Sequence, residues 1–305
     1  MQSKTGCDRC GEKAIYSRRY SGQRFCKDHF KEYIEGKVAE TLKGSKLVKR
    51  GSMMAVGLSG GKDSITTLHI LKGLEESLDF NIHAISIDEG IKGYREEGLK
   101  VAEKLCSQLG IPRHKASFKD AFGKTLDEMK KIGDRGSCTY CGVFRRRLLN
   151  KKARELGLDL LATGHNLDDE VQSILMNYIR GDMERLARLS RGVKDERLVR
   201  RIKPLREIPE KEIALYAILM DFEVSFDECP YALEGFRTKI RDFINDLELF
   251  HPGIKFSILR GYERIIPSLD VGNTTLRECN FCGEPTPKEI CKVCSLLSDL
   301  NQSLK

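Results

Sequence analysis

The sequence predicts an α/β protein: a Rossmann-like parallel sheet with helices on both faces, flanked by an N-terminal and a C-terminal zinc-finger module. Three observations predict it. Short apolar runs rich in Val and Ile alternate with stretches of helical period between residues 53 and 180, the pattern of strands buried on both faces and joined by crossover helices. A glycine-rich string, SGGKDS at 59–64, separates the first such run from the first helical stretch. Seven of the 11 cysteines lie in the first and last 30 residues, where a small module needs metal in place of a core.

Taken in order, MMAVGL at 53–58 reads as a buried strand, 63–76 as a helix, NIHAISI at 81–87 as a second strand, and 94–109 as a helix closed by Gly110 and Pro112. A short strand at 114–116, helices at 119–131 and 141–156, a strand at 159–163 (DLLAT) and a helix at 167–180 continue the alternation. Beyond Pro209 the chain turns helical, at 210–222 and 233–250. The organisation expected is a zinc finger and linker at 1–50, a catalytic domain at 51–270, and a zinc ribbon at 271–305.

With 305 residues, 40% hydrophobic and 32% charged, the composition is that of an ordinary globular protein, and runs such as 213–220 are too short to cross a bilayer. The amino terminus, MQSKTGCDRC, has no apolar h-region, so a cytoplasmic location is expected. That compartment keeps thiols reduced, so the cysteines point to metal before disulfides. The net charge of +8 is uneven: +7 in residues 1–50, +6 in 180–206 and −5 elsewhere. Basic islands on an acidic body suit a protein that docks a polyanion.

In the first loop, glycines at 57, 60 and 61 are expected to let the backbone turn and aim its N–H groups at an anion, with the following helix adding its dipole. The loop is not a Walker A motif. Val56 stands where that motif needs its first glycine, and Asp63, not Ser or Thr, follows Lys62. A second polar string, TGHNLDDE at 163–170, follows a strand; Gly164 allows close backbone approach, and Asp168 or Asp169 is expected to hold Mg²⁺ or order the loop. The competing assignment for His165 and these carboxylates is capping of a helix that starts near Asn166.

Cys138 and Cys141 form a C-x2-C pair, and Cys229 stands far away in sequence. These are either a redox dithiol or three thiolates of a metal site with one open position. At the ends, Cys7, Cys10, Cys26 and His29 pair as C-x2-C and C-x2-H, and Cys279, Cys282, Cys291 and Cys294 as two C-x2-C pairs. Four ligands without a vacancy predict two structural Zn²⁺ sites. Cys106, on the apolar side of a helix, is expected to be a small buried hydrophobe.

SGGKDS resembles the PP-loop of the ATP pyrophosphatases, which cleave ATP to AMP and pyrophosphate and adenylate a carbonyl oxygen. With the central Cys trio and the terminal Cys modules, essentially all 305 residues resemble the archaeal and eukaryotic-type tRNA 2-thiolation enzymes. The resemblance implies that Ser59, Gly60, Gly61 and Ser64 cradle pyrophosphate, Lys62 neutralises it, and Asp63 places Mg²⁺. It also implies that the strand end at Ile87 meets adenine, that Gly164 and Asp169 complete the ATP site, and that Arg145 faces the phosphates. Cys138, Cys141 and Cys229 would hold a [4Fe-4S] cluster that carries sulfur to the adenylated uridine; the alternative for the same residues is a persulfide on one Cys and a disulfide with another.

The product implied is 2-thiouridine, at the wobble position or in the T-loop. The partners implied are tRNA, ATP, a sulfur donor (sulfide or a ubiquitin-like thiocarboxylate carrier) and a second copy in a homodimer, with no membrane. Arg18, Arg19, Arg24 and Lys27 make the first zinc module an expected tRNA contact. The competing functions are a PP-loop amidotransferase or synthetase and a non-catalytic zinc-ribbon RNA adapter; the adapter would not need SGGKDS or three further cysteines.

Overall fold

The computed structural model describes residues 5–191, 195–225, 229–232, 236–269 and 275–302. Its centre is one parallel sheet of β3 (Ser52–Gly57), β4 (Phe80–Asp88), β5 (Arg113–Ser117), β6 (Leu160–Thr163) and β7 (Arg200–Ile202), in the order β5-β4-β3-β6-β7. The strand order reverses at β3: the chain moves outward to β4 and β5, then returns to place β6 on the other side. In such sheets, ligands bind at this switch point, outside the carboxyl ends of the strands. Both polar strings, at 59–64 and 163–170, follow the two strands that flank it.

Alternation along the strands sorts side chains into two cores. Met54 and Val56 of β3 and Ile82 and Ala84 of β4 face a core built with α2 (Lys62–Leu78), α3 (Arg95–Leu109) and α9 (Glu210–Leu219). Ala55, Ile85 and Ile87 face the opposite core, against α6 (Ser137–Glu155) and α12 (Lys292–Gln302). A third cluster joins α7 (Leu167–Ile179), α8 (Met183–Arg191), α10 (Phe236–Phe250) and α11 (Ile254–Ile265).

The structure differs from the sequence expectation at several elements, and part of one expected helix lies outside the described residues. α6 begins at Ser137, four residues before the start expected. The helix expected over 119–131 is two, α4 (Phe118–Phe122) and α5 (Leu126–Ile132): Gly123 ends the first at φ 73°, and Thr125 opens the second in a capping box with Glu128. The linker expected before residue 50 contains a 19-residue helix, α1 (Lys27–Ser45), whose Phe30, Ile34, Val38 and Leu42 are buried in the main core. Their i, i+4 spacing is one helix face. Strand β7 was hidden because its Arg200 and Arg201 are exposed on an edge and only Ile202 is buried. The start of the helix expected at 233–250 lies outside the described residues, which show it from Phe236.

Arg18 is a further correction, because its expected role was to contact tRNA. It is buried and donates through Nε and Nη2 to Glu212 on α9, at 3.1 and 3.0 Å. Tyr16 and Tyr20 donate to the same carboxylate, and the guanidinium stacks 3.7 Å from the Tyr33 ring centroid. A guanidinium sealed against a carboxylate is withheld from RNA. Removing one member of such a pair strands the other charge, so Arg18→Ala is expected to destabilise the chain by about 3–5 kcal/mol. Urea unfolding measures it; a loss below about 1 kcal/mol would place the pair among solvent-exposed ones.

Candidate active site

The turn after β3 is shaped by contacts that only glycine permits. Gly60 has φ 88°, and a Cβ there would lie 2.1 Å from the Gly98 carbonyl oxygen of α3. Gly57, expected to share this work, is the last residue of β3, and Gly61 caps α2 at an ordinary φ of −81°. The Ser64 hydroxyl folds back into the turn, accepting from the backbone N–H of Ser59 and Gly60 at 3.1 and 3.2 Å and donating to the Gly61 carbonyl. Arg95, buried on the first turn of α3, braces the loop from outside by donating to the carbonyls of Ser59 and Ile87 at 2.6 and 2.8 Å. The Ile87 carbonyl, placed by resemblance at the adenine, is thus already engaged by Arg95.

Lys62 reaches Asp63 at 3.1 Å and Glu210, at the start of α9, at 2.7 Å. The second Asp63 oxygen accepts from the Asn166 side-chain amide at 3.1 Å. Gly164 makes that approach possible, since a Cβ at 164 would come 2.9 Å from the Asp63 backbone. Asn166 and Asp169 form a capping box at the start of α7, and Asp169 also meets Arg237 at 3.4 Å. Asp168 is committed elsewhere: it is buried, pairs with Lys255 and accepts from the Glu210 N–H at 2.8 Å. Desolvation raises the pKa of both Asp63 and Asp169, and the Asp169 charge adds to the effect at Asp63. Of the two carboxylates expected at Mg²⁺, Asp169 alone faces Asp63.

His165 is pushed down to about 4, first by desolvation and then by the Lys203 charge, so it is neutral at pH 7. Its Nδ1 lies 2.9 Å from the Thr163 hydroxyl. Between pH 6.5 and 4 the unfolded chain binds a proton at this position that the folded chain refuses. Stability is therefore lost as the pH falls through that window. Urea midpoints measured from pH 7 to 4 should decline less steeply in His165→Gln, and equal slopes would contradict the shift.

Cys138, Cys141 and Cys229 are brought together. Cys138 and Cys141 lie in the first turns of α6, and Cys138 Sγ is 3.9 Å from the Tyr231 carbonyl, two residues beyond Cys229. Burial pushes the Cys141 thiol up to about 11, and Cys229 moves in the same direction; the neighbouring cysteines add to both. Three thiolates gathered from two segments suit a metal group that keeps one coordination position open.

Arg145, one turn beyond Cys141, meets the buried Glu89 at 3.6 Å. Glu89 lies just past β4, and its second oxygen is 2.8 Å from Arg95 Nε, whose proton goes to Ile87. Nothing in the sequence marked Glu89, Arg95 or Glu210 beyond their places just past a strand or at a helix start.

One cleft of about 400 Å³ is lined by Ser59, Gly61, Lys62 and Asp63 together with Tyr94, Arg95 and Cys229. A hollow of about 230 Å³ near Leu47, Arg50 and Asp159 sits at the amino ends of the strands, the wrong end for a ligand site.

The terminal sets each gather four ligand atoms within 4.8 Å of one another: Cys7, Cys10, Cys26 and His29, and Cys279, Cys282, Cys291 and Cys294. In the first, Nδ1 of His29 faces the sulfurs of Cys7 and Cys26 at 3.5 and 3.2 Å. Both sets suit one tetrahedral Zn²⁺ each. The second module docks on α6, where its buried Glu284 receives Arg147 and Arg154. Cys106 is 3% exposed in the main core, and burial lifts its thiol to about 11, as expected of an inert residue.

A serine-stapled glycine turn of this build, opening a helix at the switch point of a parallel sheet, defines a PP-loop protein, and the PP-loop domain family matches residues 30–248. The N-terminal LIM domain of 2-thiouridine synthetase TtuA matches residues 7–31. The chain belongs to the tRNA 2-thiolation family of PP-loop proteins. It is 37% identical to the tRNA 2-thiolation protein NcsA of Haloferax volcanii, over 96% of this chain and 98% of the relative. It is 38% identical to cytoplasmic tRNA 2-thiolation protein 1 of Caenorhabditis elegans, over 98% of this chain and 81% of the relative. Among solved structures, it is similar to the U34-tRNA thiolase NcsA from Methanococcus maripaludis with its [4Fe-4S] cluster: TM-score 0.88, 40% identity, 98% of this chain and 97% of that one. Among the described residues no helix is long and apolar enough to cross a membrane.

Proposed function

We propose that the chain is an ATP-dependent tRNA uridine 2-sulfurtransferase acting at the wobble position. The observation that carries this reading is the shared cleft, in which the PP-loop and Cys229 face the same space. Adenylation and sulfur delivery must occur on one nucleotide, so they need one cavity. Uridine O2 is a poor leaving group. Its attack on the α-phosphorus of ATP breaks the α–β bond and releases pyrophosphate; sulfide-level sulfur then bonds to C2 as the O2–C2 bond breaks and AMP carries the oxygen away.

The backbone N–H groups of 59–61 and the α2 amino terminus would hold the departing pyrophosphate, with Lys62 neutralising it. ATP would take Lys62 from Glu210. Asp63 and Asp169 would share Mg²⁺, and Arg145 would balance charge between the phosphates and the thiolates. Cys138, Cys141 and Cys229 would hold a [4Fe-4S] cluster, which when bound supplies an iron free of protein ligands for the incoming sulfur. The sulfur comes as sulfide or from a ubiquitin-like thiocarboxylate carrier, and the chain works as a homodimer in the cytoplasm.

The solved neighbour described as a U34-tRNA thiolase, similar over nearly the whole chain, supports the wobble position over the T-loop. Nucleoside mass spectrometry of mapped tRNA fragments, from cells with and without the protein, tests it. Loss of 2-thiouridine from anticodon fragments is expected; loss confined to T-loop fragments would move the site, and no loss would sink the function.

A further inference from the structure

We propose that Arg146 and Arg201 form a phosphodiester-binding site that grips the RNA backbone beside the reacting uridine. The inference rests on the proposed function and deepens it.

The basic segment 180–206 was expected to meet a polyanion as a whole, yet most of its described cations are already neutralised. Arg185 pairs with Asp182, Arg188 with Glu184, Arg197 with Asp195, Lys203 with Glu170 and Arg206 with Glu263. Of the others, Arg180 lies over the Phe236 ring, Arg200 borders the hollow at the amino ends of the strands, and Arg201 reaches α6. Among the described residues Arg201 meets no carboxylate, and its one hydrogen bond runs from Nη2 to the Arg146 carbonyl at 3.4 Å. Arg146 also lacks an ion-pair partner among the described residues. Its guanidinium folds back along α6 over Gly142, where a Cβ would stand 3.2 Å from Nη1. Glycine beside Cys141 therefore leaves room for the cation on the cysteine-bearing turn.

Both side chains are exposed to solvent, though partly desolvated by the protein around them. Arg201 is pushed down to about 10 by that desolvation and by Arg146, while Arg145, Arg185 and Arg237 add to the lowering at Arg146. Only Cys141 opposes the like charges at Arg146, and no carboxylate does; such crowding is relieved by an anion, and guanidinium forks suit phosphate oxygens in pairs. That anion is not the pyrophosphate of ATP. β7 lies two strands from β3 in the sheet, roughly 10 Å at the usual interstrand spacing, and neither arginine lines the cleft at the PP-loop. An RNA strand entering the cleft supplies phosphates in series.

The test uses the cluster-loaded protein, an unmodified tRNA transcript, and Arg146→Ala, Arg201→Ala and the double variant. For the double variant, the slope of log affinity against log salt is expected to flatten by roughly 1.4 to 1.8, about 0.7–0.9 for each lost phosphate contact. Its KM for tRNA should rise on the order of tenfold or more, with the KM for ATP unchanged and lysine at both positions restoring part of the loss. If the wild type thiolates tRNA and the double variant keeps both its salt slope and its tRNA KM, the phosphate site is wrong and the function stands. A rise in the KM for ATP instead would assign the pair to the nucleotide. A loss confined to a sulfur-carrier-dependent assay would assign it to an acidic protein. A wild type that neither binds nor thiolates tRNA would remove the function itself, and the site with it.

Discussion

Cys141→Ser is expected to lower 2-thiouridine formation on the order of a thousandfold or more, the scale seen when a group used directly in the chemistry is deleted. The same variant should retain tRNA-dependent release of pyrophosphate, because Lys62 and the turn at 59–61 are untouched. The split follows from the geometry: one cleft contains two sets of groups, built on different elements, and each serves one half-reaction. Cys138→Ser and Cys229→Ser should match it, since three thiolates share the site. Each should also lose the visible absorption and bound iron of the cluster. If one of the three retained full activity, two cysteines would suffice, and the persulfide scheme would replace the cluster.

Lys62→Ala is the complementary variant, with an expected fall in pyrophosphate release of about 10²–10³, the scale for removing one preorganised charge donor from a developing anion. Lys62 is poised for this: it is partly buried, its pKa is raised by Asp63 and Glu210 against the opposing effect of desolvation, and it stays cationic at any working pH. Asp63→Asn keeps the Asn166 contact possible and removes the negative charge for Mg²⁺, so its deficit should shrink as Mg²⁺ is raised. In both variants the iron content and the absorption of the cluster should equal those of the wild type. A non-catalytic RNA adapter would be indifferent to either change, and unaltered 2-thiouridine in cells carrying Lys62→Ala would favour it.

Much of the fold was legible in local pattern. β3, β4 and β6 read as short apolar runs because both of their faces are buried, and α2 and α7 begin where glycine and asparagine cap them. β7 was not legible, because an edge strand with two exposed arginines carries no hydrophobic signal. The break between α4 and α5 was visible in principle, since Gly123 is followed two residues later by the Thr125 to Glu128 capping pair.

The metal modules and the PP-loop were legible for the same reason: their ligands and their turn are fixed by spacing within a few residues, and chain geometry leaves little else for such spacings to do. Charge was legible only as a sum. The +7 and +6 islands are real, but whether a given arginine faces solvent, RNA or a buried carboxylate depends on residues far away in sequence. Arg18 meets Glu212, 194 residues later, and is lost to the surface. Arg201 meets the backbone of Arg146, 55 residues earlier, and keeps its charge unpaired among the described residues. The sequence by itself therefore determined the family, four of the five strands of the sheet and the sets of cysteines, because local spacing and periodicity carry that information. Tertiary structure alone decided which carboxylate faces Asp63, which cations remain available, and that the PP-loop and Cys229 open into one cleft, because long-range packing sets the partners of each side chain.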